Sequence, residues 1–144
     1  HVIAAVGSAE RGVGLHELGA DEVVVGLQDV APVYGVLEHV GGAMLADAFH
    51  LLTDGGLVVS VGAASGQPTI IDFESERMTL KHKRIETFMA AWPIGPDLQH
   101  VLELAEKGLL DAQVGYRDSW HNFDAAIDAL LGRKVAGKVA LTVS

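Results

Sequence analysis

The sequence predicts an α/β domain built on a parallel sheet, and three observations carry that expectation. Its apolar runs are short and unbroken, as in Val2-Ile3-Ala4-Ala5-Val6 and Leu57-Val58-Val59, the pattern of strands buried on both faces. These runs alternate with amphipathic segments of about ten residues, the rhythm of βαβ units. Seventeen glycines against four prolines, in 144 residues that are 49% hydrophobic, suit one sizeable core with many strand-to-helix turns.

Taken in order, residues 2–6 form the first strand. Ser8 is a good N-cap for a helix over 9–18, which Gly19 ends. Asp21-Glu22 lead into a strand over 23–25. Residues 26–33 are irregular, since Pro32 forbids a long helix there. A strand over 34–39 meets the turn Val40-Gly41-Gly42. The helix over 43–52 that follows carries Met44, Leu45, Ala48, Leu51 and Leu52 on one stripe. Asp54-Gly55-Gly56 turns the chain into a strand over 57–61 that ends at Gly62.

The second half is less regular. Residues 67–73 read as extended, and 78–88 as a strand with one solvated face. The basic run Lys81-His82-Lys83-Arg84 is expected on that solvated face, at a sheet edge. Trp92-Pro93-Ile94-Gly95-Pro96 breaks the chain before a helix over 97–107, capped by Gly108. Residues 114–120 are extended, and 123–131 form a helix with Asn122 as N-cap. A strand over 138–143 closes the chain.

Composition excludes several function classes. A net charge of −9 opposes binding to a nucleic-acid backbone. The apolar runs fall far short of the roughly 20 residues that span a bilayer, so no membrane partner is expected. With no cysteine there is no disulfide and no thiolate zinc site. A cytoplasmic protein is the expectation that follows. The chain opens inside a strand pattern without a Met, and is expected to be a piece of a larger enzyme.

Four stretches carry a more specific likeness. They are Val2-Ile3-Ala4-Ala5-Val6-Gly7-Ser8-Ala9-Glu10-Arg11 with Leu18-Gly19-Ala20-Asp21, then Tyr34-Gly35-Val36-Leu37-Glu38-His39-Val40-Gly41-Gly42. The third runs from Leu51 through Thr53-Asp54-Gly55-Gly56 to Gly62, and the fourth is Val135-Ala136-Gly137-Lys138-Val139-Ala140-Leu141. In this order they resemble the cofactor domain of the medium-chain dehydrogenase/reductase superfamily, of the zinc-binding-dehydrogenase type. The branch most similar is that of the quinone oxidoreductases, which use NADPH and lack zinc. The likeness implies a Rossmann-like, doubly wound parallel sheet over residues 1–144, a partial dinucleotide-binding domain. The first strand, the glycine-rich turn and the catalytic domain would be absent. It also implies a homo-oligomer, in dimer form, and hydride transfer to a quinone, enone or aldehyde/ketone in the parent enzyme. The fragment alone is expected to be inactive and weak in cofactor binding at best.

The resemblance implies site residues that can be weighed chemically. The end of the strand over 2–6 would meet the adenosine ribose, where a carboxylate selects NAD and a basic residue favours the 2′-phosphate of NADP. Gly7 and Ser8 stand there, with no acid before Glu10. Arg11 occupies the third helical position, where a cation opposes the helix macrodipole and displaces the acid of a capping box. Such an Arg, beside turn amides and a hydroxyl, is what a phosphate site uses. A solvated surface arginine is the other reading. NADP(H) is therefore expected over NAD(H).

Val40-Gly41 and Val61-Gly62-Ala63 follow the carboxyl ends of buried strands, where open α/β sheets bind ligands. Glycine there permits close backbone approach to a ribose or nicotinamide, though it also serves ordinary turns. Ser65 on the next loop is a further candidate toward the nicotinamide. The seven histidines show no metal-ligand spacing, so no zinc is expected in this piece. His39 borders the expected cleft and reads chiefly as a core or rim histidine rather than a ligand or catalytic group. Gly26 stands where the resembling enzymes often place an adenine contact. No residue is assigned a catalytic role. Two other readings stay open: a methyltransferase-like domain that holds S-adenosylmethionine, and a non-catalytic dimerisation module.

Overall fold

The computed structural model describes residues 1–90 and 92–143, in two compact units divided after Ala90. The first unit holds β1 (Ile3–Val6), a 3-10 turn (Ala9–Gly12), β2 (Glu22–Val25), β3 (Val33–Glu38), α1 (Gly42–His50), β4 (Leu52–Ser60), α2 (Phe73–Arg77) and β5 (Arg84–Thr87). The second holds α3 (Gly95–Glu106), β6 (Val114–Ser119), a 3-10 turn (Trp120–Asn122), α4 (Phe123–Leu131) and β7 (Lys138–Thr142).

Every strand pair is parallel. β1 pairs with β2 from Ile3–Glu22 to Val6–Val25, while β4 lies between β3 and β5 in a three-stranded sheet. In the second unit β6 pairs with β7, and α4 packs on both. The expected parallel α/β architecture is therefore present, as two small parallel sheets in the first unit and one in the second.

The core of the first unit follows from the stripe on α1. Leu45, Ala48 and Phe49 close over Leu52 and Val58 of β4, both 0% exposed, with Val33, Val36, Leu27, Ile71 and Ile85 packed around them. Fully burying one such aliphatic side chain stabilises by about 1.5–3 kcal/mol.

Between β1–β2 and β3–β4–β5 runs an apolar cleft of about 570 Å³. The start of β1 lines one side through His1, Val2 and Ile3. The edge of β3 through Val33 to Leu37 lines another, with Ala48 and Leu51 also facing it. No ladder joins β1 to β3.

Several expectations need correction. No α-helix fills 9–18. A single 3-10 turn forms and the chain then turns repeatedly, because Gly14 and Gly19 take φ +82° and +106°. Gly12 also lies so close to β2 that a Cβ would sit 2.7 Å from Val23 Cγ1. Residues 67–73 do not form a strand, and Asp72 caps α2 by accepting from Glu74 and Ser75 N–H. The strand expected over 78–88 shrinks to β5. Nor is the basic run wholly solvated: Lys81, His82 and Arg84 are exposed, but Lys83 turns inward. Lys83 is half-buried as a residue, with its side chain only 2% exposed, and donates to Glu76 Oε2 at 2.6 Å; Lys81 donates to the Leu52 carbonyl. Asn122 makes no side-chain cap; its Nδ2 donates to Asp118 instead.

No helix among the described residues is long and apolar enough to cross a membrane.

Candidate cofactor site

The residues expected to meet a cofactor fall on two stretches of the first unit. The ends of β3 and β4 bring together Val40, Gly41, Val61, Gly62, Ala63 and Ser65. Because β3 and β4 are adjacent and parallel, their carboxyl ends leave the sheet side by side, and backbone bonds tie the two turns. Ala64 N–H donates to the His39 carbonyl at 3.1 Å, and Ser65 N–H to the Val40 carbonyl at 2.8 Å. Val61 N–H donates to the Glu38 carbonyl at 2.7 Å.

Glycine is required here by space as well as by backbone angle. Gly41 has φ +71°, and a Cβ on it would stand 3.3 Å from Ala63 Cα. A Cβ on Gly62 would stand 3.0 Å from the His39 carbonyl oxygen. Side chains at either position would therefore push the two turns apart, so glycine lets them pack against each other at the strand ends.

Glu38 was missed as a site residue. It is buried at the end of β3, and its carboxylate accepts from Val40 N–H at 2.7 Å and from Gly41 N–H at 3.0 Å. The available signal was an acid closing an otherwise apolar strand, immediately before a glycine turn.

Gly7, Ser8 and Arg11 lie after β1. Ser8 is extended and makes no side-chain cap, while Arg11 N–H donates to its carbonyl at 3.1 Å. The Ser8 hydroxyl hydrogen-bonds the Glu10 carboxylate, and with Glu10's own backbone amide lowers its pKa below the ordinary value. Ser8, Glu10 and Arg11 thus form one short polar turn holding both an acid and a base. The apolar cleft contains none of the expected site residues, so the strand-end turns, rather than that cleft, carry the candidate site.

His39 is exposed, and its carbonyl rather than its ring serves the turn. Among the described residues no group of three or more His, Cys, Asp or Glu side chains could hold a metal ion. The described residues therefore do not fit a zinc site.

Residues 18–141 match the zinc-binding dehydrogenase family, and the chain belongs to that family. It is 34% identical over 110 residues to a "probable zinc-binding oxidoreductase, mitochondrial" of Arthroderma benhamiae, covering 75% of this chain and 31% of that protein. Among solved structures it is similar to a thermostable alcohol dehydrogenase from Pyrobaculum aerophilum, at 25% identity and TM-score 0.79, over 96% of this chain and 41% of that one. It is also similar to an NAD-dependent alcohol dehydrogenase, at 25% identity and TM-score 0.81, over 100% of this chain and 44% of that one. The chain thus spans less than half the length of each of these relatives. The fold is the Rossmann-like cofactor domain of medium-chain dehydrogenases and reductases.

Proposed function

We propose that this chain supplies part of the dinucleotide site of an NADP(H)-dependent oxidoreductase that passes hydride to a quinone, enone, aldehyde or ketone. The observation that carries the reading is the convergence of Gly41, Gly62, Ala63 and Ser65 at the carboxyl ends of two adjacent parallel strands. Open α/β sheets bind their ligands at such strand ends. Enzymes of this kind work largely by positioning cofactor and substrate, so these turns need supply shape rather than proton transfer. Family membership favours this reading over S-adenosylmethionine binding and over a purely structural dimerisation role.

The choice of NADP(H) rests on Arg11, beside the Ser8 turn. Glu10 favours the opposite reading, because a carboxylate at this position accepts from a ribose hydroxyl and selects NAD. The test is a titration of the chain with NADPH, NADH and S-adenosylmethionine in parallel. NADPH is expected to bind more tightly than NADH, and Arg11→Ala to cost NADPH about tenfold while leaving NADH unchanged, the scale of one charge-assisted hydrogen bond. NADH preferred, with the preference lost in Glu10→Gln, assigns the turn to NAD. Binding of S-adenosylmethionine alone overturns the oxidoreductase reading.

A homodimeric, cytosolic parent enzyme belongs to the same proposal. Sedimentation and cell fractionation of that enzyme are the checks.

A further inference from the structure

Glu38 is the only charged residue among the buried described residues, 5% exposed, and it closes β3 opposite Ser60. Its charge is met by backbone amides. Val40 N–H donates to Oε1 at 2.7 Å, and Gly41 N–H donates to both oxygens at 3.0 Å. Its own carbonyl accepts from Val61 and Gly62 N–H at 2.7 and 3.3 Å, so one residue grips the turns after both strands. Successive amides in such a turn make a concavity suited to an anion. Here that concavity is filled from within. The Val40 carbonyl is taken as well, by Ser65 N–H.

We infer that Glu38 is a positioning residue of the cofactor site: its carboxylate occupies the Val40 and Gly41 amides, fixes the turn, and leaves it to meet a ligand by shape. The inference rests on the dinucleotide reading above and refines it. A carboxylate already on the Val40 and Gly41 amides takes those two donors from a phosphate and repels one at that point of the turn. The uncharged nicotinamide–ribose half of the cofactor, not its phosphates, therefore belongs against Val40 and Gly41. The phosphate-bearing adenosine half belongs toward Ser8 and Arg11.

The test compares two probes on the isotopically labelled chain, followed by amide NMR: NADPH, which carries both halves, and 2′,5′-ADP, which carries only the adenosine half. Glu38→Gln removes the charge and faces an amide N–H₂ toward the Gly41 N–H, setting donor against donor. The expected result is about a tenfold loss for NADPH with 2′,5′-ADP held within about twofold, as one charge-assisted contact is lost at one end only. The Val40 and Gly41 resonances should shift in the free variant. Should Glu38→Gln not fold, Glu38→Asp keeps the charge one methylene shorter and should show a smaller loss of the same selective kind. Equal losses for both probes, or none for either, overturn the inference: a merely structural residue would weaken the two alike. A parent chain that binds neither probe overturns the dinucleotide reading itself, before any variant is made.

Discussion

At Gly41 the backbone stands at φ +71° and ψ −167°, a region open in practice only to glycine. Gly41→Ala would add that strain to a contact of 3.3 Å with Ala63 Cα. The expected cost is about 1–3 kcal/mol of stability, read from urea unfolding. An unchanged midpoint would mean that the turn relaxes freely. The glycines were legible because the turn lies between an apolar strand and an amphipathic helix. Glu38, three residues earlier, was not, since an acid at a strand end ordinarily points to solvent. Only the fold shows that its carboxylate curls back onto the amides of its own turn. Ser8 was misread for a similar reason. Its hydroxyl is committed to Glu10, and Gly14 ends the helix it would have capped.

Among the elements, α2 shows best where local pattern stops being informative. Lys83 donates to Glu76 at 2.6 Å and to the His50 carbonyl at 2.9 Å, with its ammonium 5.5 Å from the Phe49 ring centroid. His50 Nδ1 lies 2.8 Å from the other Glu76 oxygen. The strands and the helices α1 and α4 could be read from periodicity, because each buries apolar residues or pairs along its length; α3 was legible from the breaker cluster before it and Gly108 after it. Residues 67–88 could not. Lys81, His82 and Lys83 reach Leu52, Asp54 and His50, all far away in sequence, and no local rule anticipates a lysine turned inward.

Burial alone would push the Glu76 carboxyl up, but hydrogen bonds and charge from Lys83 and His50 outweigh it and hold the group below its ordinary value of 4.5. Because the folded-state value is depressed, this contribution to stability is fully present above pH 4.5 and lost as pH falls through the lower, folded value. Lys83→Met should therefore cost about 2 kcal/mol or more at neutral pH, by leaving a mostly buried carboxylate short of its main partner. It should also flatten the acid limb of a plot of urea midpoint against pH. Restoration by adding Glu76→Leu would attribute the loss to the pair rather than to lost packing of the lysine stem.

For the molecule as a whole, the family assignment and the parallel topology agree, and both were legible from the order of four short motifs. The division into two units was not, since the Pro- and Gly-rich segment over 92–96 reads as a break before a helix and does not by itself announce a boundary between units. The feature with the widest practical reach is the cleft between β1 and β3. The β3 edge that borders it carries Tyr34 and Leu37 at 66% and 73% exposure, and no lysine interrupts the strand. A bare, apolar strand edge is a template for another chain. Leu37→Lys should raise the concentration at which light scattering first reports assemblies, with little change in unfolding free energy. Growth of ordered aggregates from this one seam, rather than loss of the native fold, would then set how concentrated a solution of the chain can become and how long it keeps.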